Sequence, residues 1–162
     1  MRHTDAVTTV SRLLSDVADQ AHWQVFPAAE AAWDAPLEAL PADLAAFARF
    51  CGGICTPTGL VIGRRVRHAQ RAVLGEEHPD DRSFLWYVIA ESDESGTAER
   101  AVIDLDARRL GRCYDAFWDR FGVAGSMAVI ATSFTDLLTR VIHAKGQAYW
   151  SSQPLGMGDA YD

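Results

Sequence analysis

The run at residues 84–90, Phe-Leu-Trp-Tyr-Val-Ile-Ala, constrains the fold more than any other segment of the chain. Aromatic, β-branched and aliphatic residues in succession are typical of a strand that is covered on both faces. Two shorter strands are predicted at residues 101–104 and 111–114, and a polar turn is expected at residues 93–96. This spacing predicts an antiparallel meander. Other elements must then cover both faces of its central strand.

Three segments have helical patterns and can supply that cover. From residue 5 to residue 21, apolar residues recur every three or four positions, which predicts an N-terminal helix with one buried face. A second helix begins at Pro41, whose missing N–H needs no partner in a first turn, and a left-handed turn at residues 52–53 ends it. The last helix follows Ser133 as N-cap, with Asp136 in a capping box.

The other segments have less regular patterns. Residues 28–33 are rich in alanine, which predicts two helical turns. Residues 60–62 predict a strand, and residues 66–74 fit either its continuation or a short helix, of which we favour the helix. Residues 127–131 are a further short strand or the approach to the last helix. The fold class expected is α+β, with a central, mainly antiparallel sheet packed by N-terminal and C-terminal helices.

The chain has the length of one domain. At 162 residues it can bury roughly 70% of the surface that its unfolded form exposes. We assign residues 1–150 to a single domain. Residues 151–162 have few apolar side chains, so we expect a loosely ordered C-terminal tail.

The charge balance excludes some partners and favours others. A formal charge of −7 and a pI near 5.1 argue against a nucleic-acid partner, because phosphate binding needs a cationic face. An acidic protein is better suited to a basic protein partner. The acids concentrate at residues 76–99, for which solvated loops and an exposed face are the favoured interpretation and a partner-binding face is the alternative. No apolar run or leader peptide suggests a membrane, so we expect a cytoplasmic protein.

We find no motif for catalysis or metal binding. Cys51 and Cys55 lack a second ligand pair at zinc spacing, so structural cysteines are favoured. Asp104, Asp106 and Asp115 could meet near strand ends and hold a divalent ion, but acids that flank a hairpin turn are the favoured interpretation. We therefore expect no catalytic residue, no metal and no cofactor.

Aromatic residues occur in three places that bear on function. Trp86 is expected in the core. In residues 117–121, Phe117, Trp118 and Phe121 fit an amphipathic segment in which packing is favoured over ligand stacking. The aromatic residues at 149–150 are expected to be exposed.

A succession of short motifs runs along the chain. They are Leu-Pro at 40–41, Asp-Leu at 43–44, aromatic residues at 47 and 50, Gly-Gly at 52–53, Ile-Asp at 103–104, Gly-Arg-Cys-Tyr at 111–114 and Ala-Thr-Ser-Phe-Thr-Asp-Leu-Leu at 131–138. They cover roughly residues 23–145. In this order they resemble the SUKH superfamily, the Smi/Knr-like domain.

The resemblance implies a protein-binding module without cofactor or catalytic residue. In bacteria it implies an immunity protein that binds and neutralises a cognate polymorphic toxin of the nuclease or deaminase type. The fungal relatives imply an alternative, an intracellular regulatory or scaffolding module. A third alternative is a small-molecule-binding domain with a pocket lined by Trp86, Tyr87 and Tyr114.

We expect the partner to be a basic toxin domain, drawn to the acidic segment and held by aromatic side chains, since hot spots favour Trp and Tyr. The candidate partner-binding residues are Glu76, Glu77, Asp80, Asp81, Glu91, Asp93, Glu94, Tyr149 and Trp150.

Overall fold

A β-sheet with helices packed on it forms the fold in the computed structural model, which describes residues 2–92, 99–152 and 154–162. The eight strands within these residues are β1 (Gln24–Val25), β2 (Ala32–Trp33), β3 (Ile54–Cys55), β4 (Leu60–His68), β5 (Trp86–Ser92), β6 (Arg100–Asp104), β7 (Cys113–Asp115) and β8 (Val129–Ala131). The helices are α1 (His3–Ala18), α2 (Ala42–Phe50), α3 (Ala69–Leu74) and α4 (Phe134–His143).

The strands are hydrogen-bonded in the order β1-β3-β4-β5-β6-β7-β8, and each neighbouring pair is antiparallel. Only β2 departs from this pattern, since it pairs in parallel with β4. The predicted meander is confirmed, with β5 as the strand expected at residues 84–90. The first two residues of the predicted strand, Phe84 and Leu85, belong instead to the 3-10 turn Arg82–Leu85. The turn expected at residues 93–96 lies outside the described residues.

Successive residues of the central strands face two separate hydrophobic clusters, because side chains alternate along a strand. On β5, Trp86 and Val88 face one cluster, while Ile89 belongs to the other. On β6, Val102 lies between Ala101 and Ile103 and faces the opposite way. The sheet is therefore covered on both sides, as the composition of β5 requires.

Three helices cover the first face of the sheet. Val10 of α1, Phe47 of α2 and Leu138 of α4 lie in the same cluster as Ile103. The prediction of N-terminal and C-terminal helices packed on the sheet is confirmed. Ser133 is confirmed as the N-cap, since the Asp136 N–H donates to its hydroxyl at 3.0 Å. The other half of the predicted capping box differs, because the Asp136 carboxylate accepts from the Thr132 N–H, also at 3.0 Å.

The predicted left-handed end of α2 is wrong. The helix ends at Phe50, and Cys51 follows in an extended conformation, with φ −154° and ψ 170°. Gly52 and Gly53 serve close approach instead. A Cβ at Gly52 would collide with the Pro27 carbonyl oxygen, and one at Gly53 would lie 2.7 Å from the Cα of Arg64.

The helix predicted at residues 28–33 is also wrong. Ala28–Glu30 forms a single 3-10 turn, and the chain then becomes strand β2. Trp33 explains the change, because its indole Nε1 donates to the Gly63 carbonyl at 2.8 Å while β2 pairs with β4. These tertiary hydrogen bonds outweigh the helix propensity of alanine.

Residues 66–74 contain both elements between which the sequence left a choice. Strand β4 continues to His68, and α3 occupies Ala69–Leu74, so the preference for helix holds for the second part of the segment only. Gly75 ends α3 in a left-handed conformation, with φ 77°.

The second face of the sheet is covered by α3, by the segment around Phe121 and by the end of the described chain. Ala69, Phe121 and Ala160 all lie in the cluster of Trp86. Arg82 also donates to the carbonyl oxygens of Ala160 and Asp162, at 3.1 and 2.9 Å. These contacts give the location of residues 154–162; the loose order of residues 151–162 is a matter of mobility and stays a prediction.

Candidate partner-binding surface

The acids predicted to bind a partner fall into two groups. Glu76, Glu77 and Asp80 are exposed in the loop after α3, where Asp81 is half-buried. Glu91 lies apart from them, near the end of β5. The remaining two acids, Asp93 and Glu94, lie outside the described residues. We name residues 76–81 the acidic loop.

A buried side chain fixes the backbone of the acidic loop. Gln70 of α3 is 0% exposed, and its Nε2 donates to the His78 carbonyl at 3.1 Å. In return the His78 N–H donates to Gln70 Oε1 at 2.8 Å. Gln70 Nε2 also donates to the Ser83 hydroxyl at 2.7 Å. The loop is thereby tied at its middle and just beyond its end.

Asp81 has a structural role within the loop. Its Oδ2 accepts hydrogen bonds from the Ser83 N–H at 2.9 Å and from the Tyr161 hydroxyl at 2.8 Å. Burial would raise the pKa of this carboxyl, but the hydrogen bonds from Ser83 and Tyr161 hold it below its ordinary value. Asp81 therefore stays ionised and joins the loop to the end of the chain.

The other acids of the loop point their charge outwards. Glu77 pairs with Arg71 at 3.2 Å, and Arg71 is shared with Asp34 at 3.1 Å. The Glu76 side chain is 70% exposed and touches the ring of His78 at 3.1 Å. No Lys or Arg occurs between residues 72 and 81. The loop thus presents an excess of negative charge to the solvent.

Glu91 is engaged within the protein. Arg67 donates to both of its carboxylate oxygens, at 2.7 and 2.9 Å, and Arg100 lies 3.7 Å away. Burial would raise the pKa of Glu91, but the hydrogen bonds and positive charge of Arg67, with Arg100 adding to them, lower it. A carboxylate with two cationic neighbours offers little attraction to a third.

The aromatic residues near the C-terminus are less exposed than expected. Trp150 is 5% exposed and belongs to the hydrophobic cluster on the first face of the sheet, so the prediction that it is exposed is wrong. Tyr149 is half-buried, and its hydroxyl donates to the Ile130 carbonyl at 2.6 Å. Burial raises the pKa of Tyr149. A contact of either residue with a partner stays a prediction.

Trp118 is a surface residue that the sequence interpretation missed. Its neighbour Phe121 packs as predicted, with 6% exposure and its ring edge-on to Trp86 at 5.9 Å. Trp118 itself is 58% exposed and is the largest of the exposed apolar side chains in the described part of the chain. Both residues fit one amphipathic pattern, so the pattern could not tell them apart.

A shallow cleft of about 530 Å³ lies between the acidic loop and the turn that contains Trp118. Leu74 of α3 and Phe121 give it an apolar part, and Glu77, Asp80 and Asp81 line it on the acidic side. Leu74 is 45% exposed, and Val123 in the same turn as Phe121 is 49% exposed. Acidic and apolar groups therefore lie side by side on one surface.

The small-molecule pocket predicted around Trp86, Tyr87 and Tyr114 is wrong. Trp86 and Tyr114 are 0% exposed and pack on each other with ring centroids 5.0 Å apart. Tyr87 points to the opposite face of the sheet, where it packs against the hydrophobic cluster on the first face. The three side chains do not share a cavity.

The acids considered for a divalent ion have other partners. Asp104 is 0% exposed, and its Oδ2 accepts from the Tyr114 hydroxyl at 2.7 Å, from Trp86 Nε1 at 3.2 Å and from Arg109 Nε at 3.0 Å. Asp115 pairs with Arg120 at 3.2 Å. Over the described ranges, no three His, Cys, Asp or Glu side chains converge as metal ligands would. Asp104 is a structural centre that joins β5, β6 and β7.

Comparison with known proteins finds a relative in Bacillus subtilis (strain 168), the immunity protein YokJ. The two are 37% identical over 131 residues, which cover 76% of this chain and 78% of the relative. No protein-family model and no solved structure matches the chain. A search of the helices in the described residues finds none with the length and hydropathy to cross a membrane.

Proposed function

The chain belongs to the family of the immunity protein YokJ, and from this we propose that it binds a toxin protein and blocks its activity in the cell that makes both. The relationship to YokJ is the observation that carries the proposal. The fixed acidic loop supports it, because a surface that is ordered before binding loses little conformational entropy when it meets a partner.

We further propose that the toxin is basic and acts on nucleic acid as a nuclease or deaminase. An enzyme that holds a polyanion presents cationic side chains around its active site. An acidic surface complements such a site, speeds the encounter and covers the cleft that the substrate needs. The proposed contacts are the exposed acids Glu76, Glu77 and Asp80. Glu91, Tyr149 and Trp150 are engaged by contacts within the protein, and their contact with the toxin stays a prediction.

Within this proposal the chain is a non-enzymatic, cytoplasmic inhibitor of the SUKH type. The motif order supports the SUKH assignment, since the Leu-Pro pair at 40–41 lies at the start of α2 and Ser133 caps α4. Asp104 supports an inhibitor without catalysis, because its carboxylate is already bound by three side chains in the core.

The experiment co-expresses this chain with each protein encoded beside its gene and asks which of them is a toxin that the chain blocks. A sensitive host that carries the toxin alone stops growing, and we expect growth to return when this chain is present. A toxin inactivated at its catalytic residue should form a one-to-one complex with the chain in gel filtration. Absence of both rescue and complex at micromolar concentrations would overturn the proposal.

A further inference from the structure

Trp118 lies on a turn that is held in place before any partner arrives. The Phe121 N–H donates to the Phe117 carbonyl at 3.1 Å, and the Phe117 N–H donates to Asp115 Oδ1 at 3.2 Å. The ring of Phe121 is buried against Trp86. The turn is therefore fixed at both of its ends, while the indole of Trp118 between them remains 58% exposed.

Packing in the core accounts for the burial of Phe121, but it gives no reason for a large apolar side chain at the exposed position of Trp118. An indole buries a large area when it meets another surface, and it loses little conformational freedom in doing so. Trp is accordingly among the residues most enriched at the energetic centre of interfaces. Leu74, which is 45% exposed, adds apolar surface at the cleft.

Charge identifies the kind of partner that this surface fits. Glu77, Asp80 and Asp81 line the cleft on one side, and Glu76 lies next to them in the loop. Arg71, the cation nearest in sequence before the loop, is divided between Glu77 and Asp34. Arg82, directly after the loop, is bound to the carbonyl oxygens of Ala160 and Asp162. Glu76 and Asp80 form no ion pair with a Lys or Arg of the described residues, so their negative charge is left for a partner to neutralise.

We infer that the toxin docks on the surface formed by the acidic loop, the cleft and the turn at residues 118–122. Trp118 is the central apolar contact, and basic side chains of the toxin lie in the cleft between this turn and the acidic loop. The inference rests on the proposed function and adds to it the place and chemistry of the contact. A Lys or Arg fits the cleft because its aliphatic stem can lie on Leu74 and Phe121 while its head meets Glu77 and Asp80.

The test measures binding of the catalytically inactivated toxin domain to Trp118→Ala and to a matched control, Leu37→Ala. Leu37 is 67% exposed and lies before α2, away from the cleft. We expect Trp118→Ala to raise Kd about 30-fold or more, as truncation of a hot spot does. Leu37→Ala should leave Kd within about twofold. Both variants should unfold at the wild-type temperature, because each removes an exposed side chain.

The acidic half of the surface is tested with the double variant Glu76→Gln and Asp80→Asn. We expect Kd to rise about tenfold, mainly through slower association. An unchanged Kd in Trp118→Ala, while wild type binds and protects, would overturn the inference and leave the proposed function standing. Wild type that fails to bind would overturn both. A monomer–dimer equilibrium that Trp118→Ala abolishes, with toxin affinity intact, would identify a second copy of this chain as the occupant and also overturn the inference.

Discussion

The side chain of Gln70 and the backbone of His78 exchange two hydrogen bonds, as residues of neighbouring strands do. Gln70 is fully buried at the start of α3, whereas His78 lies in the middle of the acidic loop. Gln70 thus attaches the middle of the acidic loop to the core.

Replacing Gln70 with alanine should loosen the acidic loop and lower stability. The change leaves the backbone groups of His78 and the hydroxyl of Ser83 without their partner, for which we expect a loss of about 1–3 kcal/mol. Urea unfolding measures the loss, and hydrogen exchange at the His78 amide measures the loosening. Gln147→Ala, at an exposed position, is the control. Equal stability and equal exchange in the two variants would contradict the role given to Gln70.

Replacing Arg109 with alanine should destabilise the protein far more than the same change at Arg108. Arg109 is 12% exposed at its side chain and bonds to the buried carboxylate of Asp104, whereas Arg108 is 84% exposed. Loss of one partner from a buried ion pair costs roughly 3–5 kcal/mol, and an exposed change about 0.5 kcal/mol or less. The urea midpoint measures both. Similar midpoints would show that Asp104 does not depend on its cation.

Replacing Glu91 with glutamine should lower stability at neutral pH, with an effect that fades in acid. Arg67 and Arg100 hold the pKa of Glu91 in the folded protein below its ordinary value of 4.5. The unfolded chain therefore takes up the proton first as the pH falls. The contribution of Glu91 to stability is complete above about pH 4.5, the pKa of the unfolded chain. It is lost as the pH falls further, through the pKa of the folded protein. Unfolding of wild type and variant between pH 7 and pH 3 tests this course.

Replacing Glu99 with glutamine should raise stability at neutral pH, the opposite of the effect expected for Glu91. Burial, with the negative charge of Asp115 adding to it, raises the pKa of Glu99 above its ordinary value of 4.5. The ionised form is thus disfavoured by folding, so Glu99 opposes stability above its folded pKa and stops doing so as the pH falls toward 4.5. The variant should be more stable than wild type at pH 7 and equal to it near pH 4. A loss of stability at pH 7 would show that the charge of Glu99 is well compensated.

Association with the toxin should slow steeply as salt is added, if the acidic loop steers the encounter. Raising the ionic strength from 0.01 to 0.15 M shortens the Debye length from about 30 to about 8 Å. We expect the association rate to fall about tenfold or more over this range. Asp80→Asn should flatten the dependence, whereas Asp16→Asn, on the outer side of α1, should not. A rate that salt leaves unchanged would remove the acidic loop from the encounter.

The sequence predicts those elements whose causes are local. The apolar periodicity of α1, the Ser133 cap of α4 and the composition of β5 each depend on neighbours within a few positions, and all three elements are confirmed. The helix predicted at residues 28–33 is wrong because the conformation of this segment depends on β4, some thirty residues further along the chain.

The candidate site could be predicted in part, for the same reason. Counting charges locates the acidic loop, but no local pattern reports that Gln70 fixes it or that Asp81 is bound by Tyr161, 80 positions away. The two tryptophans show the limit most clearly. Trp150 was the expected surface contact and Trp118 the expected packing residue, yet the structure exchanges their exposures, since burial is decided by which distant segment lies over a side chain.

The position of residues 157–161 over the second face has a consequence for the nascent chain. Every strand of the sheet and the acidic loop leave the ribosome before this segment does, because it follows all of them in the sequence. Until it arrives, Trp86 lacks the ring of Tyr161 beside it and Asp81 lacks that residue's hydroxyl. The surface proposed to hold the toxin is therefore completed only after every strand of the sheet has been made, and a chain released before Tyr161 has an acidic loop that lacks this anchor.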